Sequence, residues 1–128
     1  MTHSLRTPLS RARGLGSAKH GVGHFIQQRA TAIFLAVLLP WFALSVLLGT
    51  DGSYDSVIGW MKHPLNAAGT ALLVLTGLFH MRLGMQVVIE DYITGPVART
   101  VSLLANTAIP AILAVIAILS VAKVFVGA

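Results

Sequence analysis

The stretch LNAAGTALLVLTGLFHMRLGMQVVIEDYI, from Leu65 to Ile93, decides the fold. At 1.5 Å per residue it makes a helix of roughly 43 Å, longer than a hydrocarbon core of about 30 Å. It can therefore cross a bilayer with one end protruding. Between Ala67 and Ile89 the only ionisable side chains are His80 and Arg82. Small residues at Ala67, Ala68, Gly69, Gly77 and Gly84 would let neighbouring helices approach closely. Pro64 stands where the first turn of a helix accepts a proline. Pro96 disfavours helix at Gly95 and restarts the chain as a new element.

Two further apolar runs flank this one. The first extends from about Ala30 to Leu48 and contains Pro40; the third extends from about Val101 to Val126 and contains Asn106, Thr107 and Pro110. An interior proline deletes one backbone hydrogen bond, which membrane helices tolerate when neighbours satisfy the freed carbonyl. Asp51 to His63 is a polar connection in which Tyr54 and Trp60 are expected as interfacial anchors. Residues 1–23 hold Arg6, Arg11, Arg13 and Lys19 among glycines, and bury too little apolar surface to order themselves. They are expected to be a flexible basic arm, with residues 24–128 forming a three-helix transmembrane unit. A cleaved signal peptide is not expected, because the run after the arm lacks a small-residue cleavage site and is long enough to span.

Composition agrees with an all-α integral membrane protein of three spans. The chain has 128 residues, of which 55% are apolar and 10% charged, and a mean hydropathy of +0.81; soluble domains carry about 25% charged residues. There is no cysteine, which excludes disulfides, thiolate-held iron–sulfur clusters and covalent c-type heme within this chain. The formal charge is +5, and its distribution is informative. Arg6, Arg11, Arg13, Lys19, Arg29 and Arg99 fall on one side of the spans, Lys62 and Lys123 on the other. The positive-inside rule then places the amino terminus and the Gly95 connection in the cytoplasm and the carboxyl terminus outside. Membrane orientation accounts for the charge, so no nucleic-acid partner is expected. Three helices enclose little interior, so lipid and partner chains are expected around them.

An ionisable side chain near the middle of a span is costly and is by default a functional hypothesis. His80 is such a residue. Its candidate roles are proton relay, metal ligand and heme axial ligand; the plain alternative is a neutral histidine bonded to a neighbouring carbonyl. No second histidine shares the apolar interior, so a bis-histidine heme would need its other ligand from another polypeptide. Asp91 and Tyr92 follow eleven and twelve residues later. Eleven residues turn the helix about 20° past three full turns and advance it about 16 Å, which puts Asp91 below His80 on one face and Tyr92 beside it. Both are expected at the cytoplasmic surface, close to the level of Arg29. Interfacial belt residues are the alternative for Asp91 and Tyr92, and a positive-inside anchor for Arg29. Arg82, two residues from His80, must snorkel or meet an anion such as a heme propionate or a partner-chain carboxylate.

The run HMRLGMQVVIEDYITGP, from His80 to Pro96, resembles the signature of the hydrophobic membrane anchor subunit of succinate dehydrogenase, respiratory complex II. HFIQQRATAI, from His24 to Ile33, resembles the start of that family's first transmembrane helix. Order, spacing and the three-span layout match from about Ser17 onward. The resemblance implies that His80 is one axial ligand of a heme b shared with the cytochrome b subunit, and that Tyr92, with Asp91 beside it, meets ubiquinone. Arg29 matches a family arginine near the heme and quinone region; Arg82 stands where an aromatic residue is usual. The implied partners are the cytochrome b, iron–sulfur and flavoprotein subunits, with succinate oxidised on the last. The implied location is a bacterial inner membrane in preference to the mitochondrial one. Fumarate reductase with menaquinone shares the architecture, although the Asp-Tyr pair favours ubiquinone. A reading of another class is a small cationic pore with His80 and Asp91 as a proton path; it expects neither heme nor soluble partners.

Overall fold

In the computed structural model, residues 7–9 and 21–127 are described, so most of the basic arm lies outside the described residues. Four helices follow in order: α1 (Gly21–Gly49), α2 (Tyr54–Met61), α3 (Pro64–Tyr92) and α4 (Pro96–Val126). No strand occurs among the described residues. The three long helices are each long and apolar enough to cross a membrane.

Each long helix extends past the apolar run that announced it. α1 begins at Gly21, well before Ala30, because the His24–Arg29 segment contains no helix breaker and simply continues the helix out of the apolar zone. Pro40 lies within α1 and Pro110 within α4 without ending either helix. α3 and α4 both begin with proline in the first turn, after His63 and Gly95 in extended conformation. A proline there gives up an N–H that would have had no helical partner. Ile93 is extended and closes α3, leaving a short link to α4.

α3 is the central element. It contacts both α1 and α4, whereas α1 and α4 do not touch each other. The long helices therefore form an open row, and most large apolar side chains face outward, Leu48 and Val126 among them. Such a surface suits lipid or other apolar helices. The seam of α1 with α3 depends on small residues. A Cβ added at Gly69 would overlap the Trp41 ring, and one at Gly77 would sit 4.0 Å from Leu35. Gly69, Gly77, His80 and Gly84 fall within about 80° of helix circumference, so they make one face, turned to α1.

The connection between α1 and α3 is better ordered than a polar loop. Ser53 caps α2, its side chain accepting from the Ser56 amide. Asp51 Oδ1 accepts from the Ser53 amide at 2.8 Å and the Ser56 hydroxyl at 2.5 Å. Trp60, expected as an interfacial anchor, is instead buried and meets Phe42 edge-on with ring centroids 5.7 Å apart. Its backbone carbonyl accepts from the Asn66 side chain at 2.9 Å. Tyr54 is exposed, as an interfacial residue would be.

Candidate functional site

The α1–α3 seam carries a polar stripe within apolar surroundings. His24, Gln28 and Thr31 recur at helical spacing on the face of α1 that meets α3. Thr31 is buried, with its hydroxyl 2.8 Å from His80 Nδ1 and also bonded to the Gln27 and Gln28 carbonyls, at 2.8 and 3.1 Å. His80 Nε2 is approached by the Gln28 side-chain amide nitrogen at 3.4 Å, a long contact. Gln28 Oε1 and His24 Nε2 are buried without a hydrogen-bond partner. Buried polar atoms are nearly always paired, so these two atoms mark where the seam could meet water or a bound group. Sequence reading singled out His80 but neither Thr31 nor Gln28. The signal that finds them is the i, i+4, i+7 polar series of His24, Gln28 and Thr31 at the start of an apolar helix.

Arg82 points elsewhere. Two residues turn a helix about 200°, so Arg82 faces α4 while His80 faces α1. It lines a groove of about 280 Å³ with Leu75, Leu78, Phe79, Thr107 and Pro110. Its Nε is buried and unpartnered, while its backbone carbonyl accepts from Asn106 at 2.9 Å. The structure thus separates the two ionisable groups that the sequence places two residues apart.

Asp91 and Tyr92 close α3 and are exposed, Tyr92 to 81%. Arg29 does not share their level. The neighbours Thr31 with His80, Gln28 with Gly84 and Leu35 with Gly77 fix the antiparallel register. That register sets Asp91 beside the start of α1, about 12 Å along the axis from Arg29. Arg29 is exposed and reaches back one turn, its guanidinium 5.2 Å from the centre of the Phe25 ring. Its stem lies along apolar surface while the charge moves toward the Tyr92 end.

Among the described residues no three His, Cys, Asp or Glu side chains gather as a metal cluster. A bare ion would find too few ligands at His80. A macrocyclic iron brings four equatorial nitrogens of its own and asks the protein only for axial donors. One half-buried imidazole with an available nitrogen fits that demand.

These features define a class: a multi-pass membrane subunit with an open row of helices, a polar seam at mid-span and an exposed acidic and phenolic pair at one end. The chain belongs to the family of succinate dehydrogenase/fumarate reductase transmembrane subunits, which matches residues 3–122. It is similar to the succinate dehydrogenase hydrophobic membrane anchor subunit of Rickettsia bellii, 39% identical over 94 residues that cover 73% of this chain and 75% of the relative. It is also similar to the subunit of the same description from Paracoccus denitrificans, 35% identical over 89 residues, 70% of this chain and 69% of the relative. No solved structure matches the chain significantly. The small-pore reading gives way to membership of this family.

Proposed function

We propose that this chain is the membrane anchor of a succinate dehydrogenase, that His80 supplies one axial ligand of a heme b, and that Tyr92 and Asp91 border the ubiquinone pocket. The subunit is non-catalytic toward succinate, which is oxidised on another chain of the complex. The flavoprotein and iron–sulfur subunits dock at the Tyr92 end, which the distribution of Arg6, Arg11, Arg13, Lys19, Arg29 and Arg99 assigns to the cytoplasm. The cytochrome b subunit covers the open faces of the helix row and brings the second axial histidine. The membrane is the bacterial inner membrane, in keeping with relatives from Rickettsia and Paracoccus.

The observation that carries this reading is the placement of His80 halfway along a spanning helix, its Nδ1 engaged by Thr31 and its Nε2 met only by a 3.4 Å amide contact. When bound at His80, heme would supply one-electron chemistry to the complex. This chain's residues do the rest. Tyr92, at an exposed helix end within reach of the bilayer, donates its hydroxyl proton in a hydrogen bond to the quinone carbonyl oxygen. That bond strengthens as reduction puts negative charge on the oxygen. Asp91 holds the donor or nearby water and passes protons from the cytoplasm. Arg29, on the outer side of α1, is assigned to the heme and quinone region that partner chains complete. Arg82 faces away from His80, which favours a partner-chain carboxylate over a heme propionate as its counter-ion.

The test is His80→Ala in the whole membrane complex. The other histidine on this seam, His24, precedes Thr31 by seven residues, about 10 Å along α1, so the low-spin bis-histidine absorption spectrum is expected to be lost or converted to high-spin. An unchanged low-spin spectrum would remove the ligand assignment.

A further inference from the structure

We infer that Thr31 selects which nitrogen of His80 is free to bind a metal. The inference rests on the axial-ligand reading and deepens it. Thr31 Oγ1 has three close polar neighbours: the Gln27 carbonyl oxygen at 2.8 Å, the Gln28 carbonyl oxygen at 3.1 Å and His80 Nδ1 at 2.8 Å. A hydroxyl has one hydrogen and two lone pairs.

Suppose the hydrogen pointed to Nδ1. The Thr31 oxygen would then face the Gln27 carbonyl oxygen at hydrogen-bond distance with no proton between them, two partial negative charges in contact. Suppose instead that it points to the Gln27 carbonyl, shared with that of Gln28. A lone pair is left for Nδ1, and Nδ1 must carry the proton. Only this second arrangement gives a proton to every short contact. A neutral imidazole protonated at Nδ1 keeps its lone pair at Nε2.

The contact on the other side of the ring is compatible with this tautomer. The neighbour of Nε2 is the nitrogen of the Gln28 amide, a donor, which suits a lone pair and not an N–H. The contact is long and belongs to a flexible side chain, so it can yield to a metal. Thr31 is only 9% exposed, so water does not compete for its hydroxyl. The backbone carbonyl that fixes the hydroxyl hydrogen is part of α1 itself, and the tautomer of a residue on α3 is therefore set by the helical geometry of α1. A hydrogen bond from the far nitrogen of a ligating imidazole also raises its donor strength. Thr31 touches neither metal nor substrate in this arrangement and is a positioning residue.

The experiment uses the assembled membrane complex with Thr31→Val, which keeps the branched shape and removes the hydroxyl, and with Thr31→Ser, which restores it. In Thr31→Val the heme is expected to bind about tenfold to a hundredfold more weakly. Its midpoint potential is expected to rise, because the ferric state loses more than the ferrous when the imidazole becomes a poorer donor. Thr31→Ser is expected to match the wild type in both. Should the valine variant fail to assemble, Thr31→Ala carries the same expectation. Wild-type heme retention and potential in the valine or alanine variant would overturn the inference, and so would a serine variant that behaves like valine. His80→Ala measured alongside separates the two readings. If it loses the low-spin spectrum while Thr31→Val keeps wild-type heme, only the tautomer selection falls; if it leaves the heme intact, the ligand assignment falls first.

Discussion

The two ends of the helix row are built on different principles. At the Gly49 end the chain satisfies itself: Asp51, Ser53 and Ser56 form a hydrogen-bonded cap, Trp60 is buried against Phe42, and the Trp41 ring packs against Gly69. At the Tyr92 end a short link joins α3 to α4, no side chain caps the start of α4, and Asp91, Tyr92 and Arg99 are exposed. The proposed quinone and docking surface lies at the end that the chain's own side chains leave uncapped. The polar seam of Gln28, Thr31 and His80 lies between the two.

The largest effect is expected at the proposed quinone site. Tyr92→Phe keeps the ring and removes only the hydroxyl, so assembly, heme content and succinate oxidation with an artificial acceptor should survive. Quinone reduction should fall about tenfold to a thousandfold, if one donor contributes about 1.4–4 kcal/mol as charge develops. Steady-state kinetics with a ubiquinone analogue reads this directly. Wild-type rates would make Tyr92 a belt residue, and Asp91→Asn would then decide whether any of the pair belongs to the site.

A smaller effect is expected at the sealed end. Gly69→Ala places a methyl where the Trp41 ring lies, so α1 and α3 must shift apart or the indole must rotate. Overpacking of this kind costs about 1–3 kcal/mol. Thermal inactivation of the complex should come at lower temperature, while quinone kinetics at low temperature stay near wild type. Unchanged thermal stability would mean that the small residues of the seam do not set its spacing. A loss of quinone reduction without loss of stability would contradict the division between the ends.

Much of this architecture was legible from local signals. Hydropathy located the spans, Pro64 and Pro96 marked two helix starts, and His80 stood out because ionisable groups are rare at mid-span. What depends on register between helices was not legible. Thr31 continues a polar series with His24 and Gln28, but its meeting with His80 shows only when α1 is laid against α3. Arg29 was expected level with Asp91 because both flank apolar runs, but α1 continues to Gly21 and sets Arg29 further in. Trp60 was expected at the lipid interface on residue type alone, and the short helix α2 turns it inward against Phe42.

The smallest effect sharpens the same comparison at the sealed end. Hydrogen bonds from Ser53 and then Ser56 hold the Asp51 carboxyl down to about 2, below its ordinary value of 3.8. A carboxyl whose folded value is lowered contributes stability that is fully present above its ordinary value and is lost as pH falls through the folded one. The cap of α2 should therefore be intact at pH 4 and above, and should loosen progressively between about pH 4 and pH 2. Asp51 is fully exposed, so solvent screens the contribution and the loss stays local. Hydrogen exchange of the Tyr54–Met61 amides is the suitable measurement, with protection expected to weaken in that window and to be lower at neutral pH in Asp51→Ala than in the wild type. The link at Ile93–Gly95 has no comparable carboxylate cap, so Asp51→Ala should leave its exchange unchanged. If Asp51→Ala leaves α2 as protected as before, the short helix is held by Trp60 and Asn66 alone, and the seal at that end is one of packing rather than of hydrogen bonding.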